Sequence, residues 1–292
     1  MKNHDRIQRF LFEDEPIRGQ LVSLDNSWQT ILQKSDAEGY AREILGHALA
    51  AVALLSSTLK FDGNITLQIR GQGPLHMLVA QATSDRTLRG IIRQSHAIED
   101  ETASLADIFQ SDKMVITIDS GKGKPHQGIV PLSGHTLSEA LGAYFEQSEQ
   151  LQTHLWLACN DDNASGLLIQ KLPGEPHDPD AWERILQLSE TITDNELYGL
   201  DSQELIYRLF HEESVRVFEQ QPVSFQCSCS RERTSSMLKS LGKAELEDIL
   251  KTEDSIGITC EFCNEHYSFD AIDVESLFND RISESVSSKT HH

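Results

Sequence analysis

Alternating apolar and polar positions open the chain. Ile7 to Phe12 and Ile17 to Ser23 read as two β-strands joined by a turn at Glu13-Asp14-Glu15-Pro16. A Pro-free stretch rich in Ala and Leu, from Ala37 to Leu59, predicts a long helix. Asp36 stands where a cap is expected, and Ile44, Ala48, Ala51, Leu55 and Leu59 give the helix one apolar face. The segment Ile65 to Pro74 is then echoed by Ile116 to Pro125. In each copy an alternating strand meets a Gly-x-Gly turn and a second strand, Leu75 to Ala82 and Gln127 to Leu132. The echo predicts two related hairpins in one sheet and is too short for a solenoid. Thr136 to Gln147 reads as an amphipathic helix, and Thr153 to Cys159 with Gly166 to Leu172 as a closing strand pair.

Pro173-Gly-Glu-Pro-His-Asp-Pro179 is the clearest boundary, dense in Pro and Gly and free of apolar side chains. Beyond it, apolar residues from Trp182 to Phe210 recur at helical spacing, with breaks near Thr193 and Gly199. Helices that short cannot bury such a surface alone and need a partner, expected to be the first domain. The pattern therefore predicts an α+β protein: a mixed sheet-and-helix domain over 1–173, a helical linker over 174–222, a small module over 223–280 and a disordered tail over 281–292.

Charge narrows the possible partners. With 46 acidic against 25 basic residues the formal charge is −21, which repels a phosphate backbone, and no basic patch offsets it. Arg231 and Arg233 flank Glu232, with acidic residues following. No nucleic-acid partner is expected. No apolar run approaches the roughly 18 residues of a membrane span, and Met1 to Arg6 leads into a strand pattern with no apolar signal core. A cytoplasmic protein without a membrane partner is expected, and in that reducing compartment cysteines more often bind metal or act in redox chemistry than form structural disulfides.

Four of the five cysteines fall in the last module, as Cys227-Ser-Cys229 and Cys260-Glu-Phe-Cys263. Zinc takes four tetrahedral ligands, and two thiolate pairs brought together by a fold supply them. The 30 residues between the pairs leave room for helices over Arg231 to Ser240 and Lys243 to Thr252. The expected core is small: Phe225, Leu238, Leu241, Leu246, Ile249, Ile256, Ile258, Phe262, Tyr267 and Phe269. Metal binding worth on the order of 10 kcal/mol decides whether so small a core folds. A structural zinc ribbon explains Cys-x-x-Cys, whereas Cys-x-Cys is tighter than ribbons use. Neighbouring thiolates of that kind can oxidise to a disulfide once the metal leaves, which points to a redox switch.

Other features have plainer readings. His266 is a possible substitute ligand, and Cys159 reads as a buried small hydrophobe. The turns Gly71-x-Gly73 and Gly121-x-Gly123 lack a phosphate-loop fingerprint, so no nucleotide is expected. Two other functions remain open: a thiol-disulfide oxidoreductase using Cys260-x-x-Cys263, and a zinc-ribbon interaction module without redox role.

Phe210-His-Glu-Glu213, Cys227-Ser-Cys-Ser-Arg-Glu-Arg233 and Cys260-Glu-Phe-Cys-Asn-Glu-His-Tyr-Ser-Phe269 closely resemble the redox-regulated 33 kDa heat-shock protein family. Arg6-Ile-Gln-Arg-Phe10 and Gly71-Gln-Gly-Pro-Leu75 resemble that family's substrate-binding domain, so the likeness spans nearly the whole chain. Thr234 stands where some members carry a further cysteine outside the zinc set. The resemblance implies a non-enzymatic, ATP-independent holdase, inactive when reduced with one Zn2+ per chain on Cys227, Cys229, Cys260 and Cys263. It implies activation by oxidation, with Cys227 paired to Cys229 and Cys260 to Cys263, zinc released and the module and linker unfolded. It also implies unfolding client proteins as partners and a homodimer in the oxidised state.

Overall fold

The computed structural model describes residues 5–58 and 62–278. Leu59 and the expected tail 281–292 lie outside the described residues. The chain forms two compact units, Met1–Gln226 and Cys227–His292.

In the first unit, two sheets enclose one helix. Sheet one runs β10 (Val215–Val217), β1 (Arg6–Phe12), β2 (Ile17–Leu24), β9 (Ala164–Lys171) and β8 (Thr153–Cys159), with β11 (Gln221–Pro222) also on β1. Sheet two runs β12 (Ser224–Phe225), β5 (Thr87–Gln94), β4 (Leu75–Thr83), β3 (Asn64–Arg70), β6 (Lys113–Asp119) and β7 (His126–Pro131). The short helices α1 (Asn26–Leu32) and α3 (Leu105–Phe109) are peripheral, whereas α2 (Tyr40–Thr58) lies between the sheets.

The expected echo is two hairpins, β3–β4 and β6–β7, placed side by side with Leu67 opposite Ile116. Gly71 and Gly73 sit where a Cβ would strike the backbone of Phe109 and Ile108, and the Gln72 and Gly73 N–H groups donate to Phe109 O. That turn is glycine-rich to let another backbone in, not to cradle a phosphate. Thr136 caps α4 (Leu137–Tyr144) in a capping box with Glu139, and a single π-helical turn, Phe145–Glu149, follows.

The long helix departs from expectation in two ways. It begins at Tyr40, not Ala37, because Gly39 at φ +52° turns the chain out of helical backbone just before it. Asp36 therefore caps nothing there and instead faces Arg93 at 3.5 Å. Nor is there one apolar face: every residue from Ala48 to Leu55 is at most 1 % exposed, since sheets cover the helix on both sides.

Residues 174–222, expected as a linker, lie within the first unit. Helices α5 (Ala181–Ser189), α6 (Asp194–Gly199) and α7 (Ser202–Phe210) break near Thr193 and Gly199 as the pattern predicts. They cover the outer face of sheet one, where Trp182, Ile185, Leu197, Leu205, Leu209 and Phe210 pack on Phe10, Phe12, Ile17, Leu21, Leu167 and Ile169. The Phe210 ring meets Phe12 edge-on at 5.1 Å. Gly19 leaves the space that the Phe10 ring fills. After α7 the chain returns as a strap, β10 and β11, along the free edge of β1.

The second unit holds α8 (Arg231–Leu241), α9 (Lys243–Ile249), the hairpin β13 (Ile256–Thr259) and β14 (His266–Phe269), and α10 (Ala271–Phe278). Among the described residues its buried apolar core is Leu238, Leu246, Ile256, Phe269 and Val274. Two expected core residues lie elsewhere. Leu241 is 54 % exposed at the end of α8, and Phe225 belongs to the first unit through β12. No helix among the described residues is long and apolar enough to cross a membrane.

His47 titrates from within the first unit, with Glu43 at 3.8 Å from its Nε2. Burial pushes the pKa of His47, on α2, down from 6.5 to about 4. His47 is then neutral in the fold, so stability is complete above pH 6.5 and falls as the pH drops from 6.5 towards 4. Urea unfolding followed by tryptophan fluorescence reads this unit alone, since Trp28, Trp156 and Trp182 all lie in it. Between pH 7.5 and 5, the native chain is expected to lose about 2 kcal/mol more stability than His47→Gln. Equal losses would mean that His47 carries no such linkage.

Candidate metal centre

The site is built from two short backbone segments. Cys260 and Cys263 occupy the turn between β13 and β14, where the Cys260 N–H donates to Glu265 O and the Asn264 N–H to Cys260 O, each at 2.8 Å. Asn264 takes φ +56°, a left-handed value that asparagine tolerates, and this folds the knuckle tightly. Cys227 and Cys229 lie on the segment entering α8, whose first turn is capped by the Ser230 hydroxyl accepting from the Arg233 N–H.

Two arginines of that turn brace the segment. The Arg233 guanidinium donates to Ser228 O at 2.7 Å. Arg231 donates to Ser268 O at 2.9 Å, pairs with Asp273 at 2.8 Å and lies 4.3 Å over the Phe269 ring. Their bracing role is a feature that sequence reasoning missed, although their place just after Cys-x-Cys was a usable signal.

All four sulfurs lie within 4.8 Å of one another. Between the two pairs, Cys227 Sγ lies 3.6 Å from Cys260 Sγ and Cys229 Sγ 3.2 Å from Cys263 Sγ. Four ligands at a Zn–S distance of about 2.3 Å would stand about 3.8 Å apart in a tetrahedron. Donor type, number and spacing thus fit a zinc ion.

The electrostatics lead the same way. Burial pushes the Cys227 and Cys263 thiols up. Burial pushes Cys229 up as well, but hydrogen bonds from the Tyr267 hydroxyl at 3.3 Å and from the other thiols outweigh it, bringing Cys229 down to about 7. Burial thus disfavours the ionised forms of Cys227 and Cys263, and a cation at the centre of the cluster would favour them. Tyr267 was expected only as core, and its hydroxyl makes it a partner of the site.

Other sequence candidates fall outside the cluster. His266 faces Thr259 across the hairpin, Nδ1 to Oγ1 at 3.0 Å. Cys159 is half-buried in the first unit, and its thiol is pushed up by burial. No helix begins at Cys260, so the helix-start position that a disulfide oxidoreductase gives such a motif is not present here.

Known proteins resemble the chain along nearly its whole length. The family model of the Hsp33 protein matches residues 5–270. The 33 kDa chaperonin of Nitrosococcus oceani is 47 % identical over 291 residues, covering 100 % of both chains. That of Methylobacillus flagellatus is 45 % identical and covers 97 % of each. The crystal structure of the 33 kDa chaperonin from Thermotoga maritima, 24 % identical, covers 94 % of this chain and 98 % of its own with a TM-score of 0.79, which shows a shared fold. An α+β fold, a four-cysteine cluster near the C-terminus and these matches together establish that the chain belongs to the Hsp33 family of chaperones.

Proposed function

We propose that this chain is a redox-regulated, ATP-independent holdase that binds unfolding proteins in the cytoplasm and turns over no substrate. The observation that carries the reading is the cluster of four thiols within 4.8 Å in a unit with five buried apolar side chains among its described residues. A core that small needs another source of folding energy.

In the reduced state Cys227, Cys229, Cys260 and Cys263 would hold one Zn2+ per chain. When bound, the ion supplies four metal–thiolate bonds, worth on the order of 10 kcal/mol to folding. Oxidation by a peroxide takes two electrons from each thiolate pair: an S–S bond forms, the O–O bond breaks, and its oxygens leave as water or hydroxide. The proposed pairing is Cys227 with Cys229 and Cys260 with Cys263. An S–S bond is about 2.05 Å long, so either pairing brings sulfurs closer than the cluster holds Cys229 and Cys263, 3.2 Å apart. The module over 223–280, without its ligands, and the linker over 174–222 then unfold, and the apolar outer face of sheet one opens to clients. A homodimer of the oxidised form is part of the same reading. Nothing in it calls for nucleotide, nucleic acid or membrane.

Suppression of aggregation of a thermally unfolding test protein, with zinc followed in the same tube, checks this directly. Peroxide is expected to release about one zinc per chain and to switch suppression on, with reductant reversing both. Peptide mapping is expected to find the two local disulfides. Retained zinc with unchanged suppression would reduce the four thiols to a structural site.

A second test separates release from oxidation. Leu205 is buried against sheet one, and an aspartate there costs roughly 3 kcal/mol or more by placing an unpaired carboxylate in that layer. Leu205→Asp is expected to suppress aggregation without oxidant and to be cleaved readily between 174 and 222. If it stays inactive and protease-resistant, release of the linker is not the activating event.

A further inference from the structure

The covering segment hides an edge as well as a face. The strap lies antiparallel on β1, with Phe10 opposite Val217, Phe12 opposite Val215 and Ile7 opposite Gln221. Its ends are tied by backbone bonds: Glu13 N–H to Ser214 O at 2.8 Å, Phe218 N–H to Arg9 O at 2.9 Å and Val223 N–H to Asp5 O at 2.9 Å. Polar side chains supplement them: Gln8 Nε2 donates to Phe218 O, Arg6 donates to Gln220 Oε1 at 2.6 Å, and Arg216 pairs with Glu13 at 3.4 Å. Apolar contact adds little. Arg216 and Val217 are exposed, Phe218 is 38 % exposed, and Val215 alone in this stretch packs partly on the apolar core. The edge of β1 thus pairs chiefly with main chain, Gln8 included, and the strap is what fills it.

The edge is poorly guarded once bare. Strands exposed at a sheet edge ordinarily carry inward charges, proline or a bulge to prevent pairing. β1 ends in Phe10-Leu11-Phe12 with no proline, and its register with β2 is unbroken. Phe10 and Phe12 also floor the outer face that Phe210 covers. One segment, residues 181–222, therefore hides a hydrogen-bonding edge and the aromatic shelf beside it. The strap's own sequence, Ser214-Val-Arg-Val-Phe218, shows what fits: an extended, β-branched and aromatic stretch carrying positive charge, which a chain of charge −21 attracts.

We propose that the activated chain takes up unfolded clients as an added antiparallel strand on the edge of β1, in the place of residues 214–222, with client side chains resting on Phe10 and Phe12. The strap is then an internal stand-in for the client. This deepens the holdase reading and rests on its release step. It further specifies that recognition runs through backbone hydrogen bonds in a fixed register, which accepts many sequences while requiring an extended conformation.

Backbone parity gives the test. The bonds at Ser214 and Phe218 show that residues 214, 216 and 218 turn their main-chain groups to β1, whereas 215 and 217 turn theirs away. Three labelled synthetic peptides of residues 213–219 are titrated into the full-length oxidised chain: one unmodified, one N-methylated at positions 216 and 218, and one at 215 and 217. The unmodified peptide is expected to bind the oxidised form, not the reduced one, and to compete with a thermally unfolding test protein. Methylation at 216 and 218 is expected to weaken binding about tenfold or more, that at 215 and 217 about twofold or less. Equal weakening by both, or no binding by a chain that does suppress aggregation, would overturn strand addition and leave the holdase reading standing. A chain that never suppresses aggregation would sink that reading first, and this proposal with it. If the unmodified peptide dissociates an oxidised dimer yet leaves suppression intact, a second copy fills the edge and the proposal is wrong.

Discussion

A sheet that is apolar on both faces must be covered twice, and most of this fold follows from that constraint. In sheet one, Leu168 of β9 faces the central core while its neighbours Leu167 and Ile169 face the other way into a second apolar cluster. An antiparallel sheet commonly leaves one face to water; here neither is available. The inner cover is α2, whose small side chains let two sheets close on it from opposite sides. The outer cover is α5 to α7, and without it Phe10, Phe12, Ile17 and Leu21 would form a contiguous apolar surface. The covers differ in kind. One is a single long helix locked between sheets, the other three short helices on an outer surface.

The second unit meets the opposite difficulty, too little apolar surface. Among the described residues its five buried apolar side chains accompany a thiol cluster in which burial disfavours the ionised forms of Cys227 and Cys263. A dication held by the four sulfurs would favour the thiolates and tie two backbone segments 30 residues apart in sequence. The braces around the site, Arg231 on Phe269 and Asp273 and Arg233 on Ser228, orient those segments without supplying a hydrophobic core. With a metal in place, stability and thiol chemistry would be coupled, because one set of atoms would carry both.

Much of this was legible in the sequence, for local reasons. Alternation gave the strands, the amphipathic pattern from Thr136 marked α4, and two cysteine pairs at ligand spacing marked the cluster. What stayed hidden depends on partners distant in the chain. The long helix reads as one-faced because alanine scores weakly as an apolar residue, yet two sheets bury it all round. Phe225 reads as module core because it stands next to Cys227, but β5 claims it for the other unit through Leu88. The strap could not be read either, since Val215 to Val217 is too short to show a period. Its identity as a strand lies in β1, two hundred residues earlier. The bond from Tyr267 to Cys229 likewise depends on the way the hairpin folds back.

The length of the outer helices fixes what their departure means. At 9, 6 and 9 residues, α5, α6 and α7 fall below the roughly 12–15 residues at which an isolated helix becomes marginal in water. Their caps, Thr193 with Glu196 and Asp201 with the Gln203 N–H, define where each begins but add only about 1 kcal/mol apiece. Docking on sheet one is therefore what keeps them helical, so a segment that leaves the sheet leaves as unfolded chain. Redocking must then restore conformational order and apolar contact together. That couples the two in one cooperative step, and it ensures that an uncovered sheet is accompanied by a long flexible segment beside the exposed edge of β1.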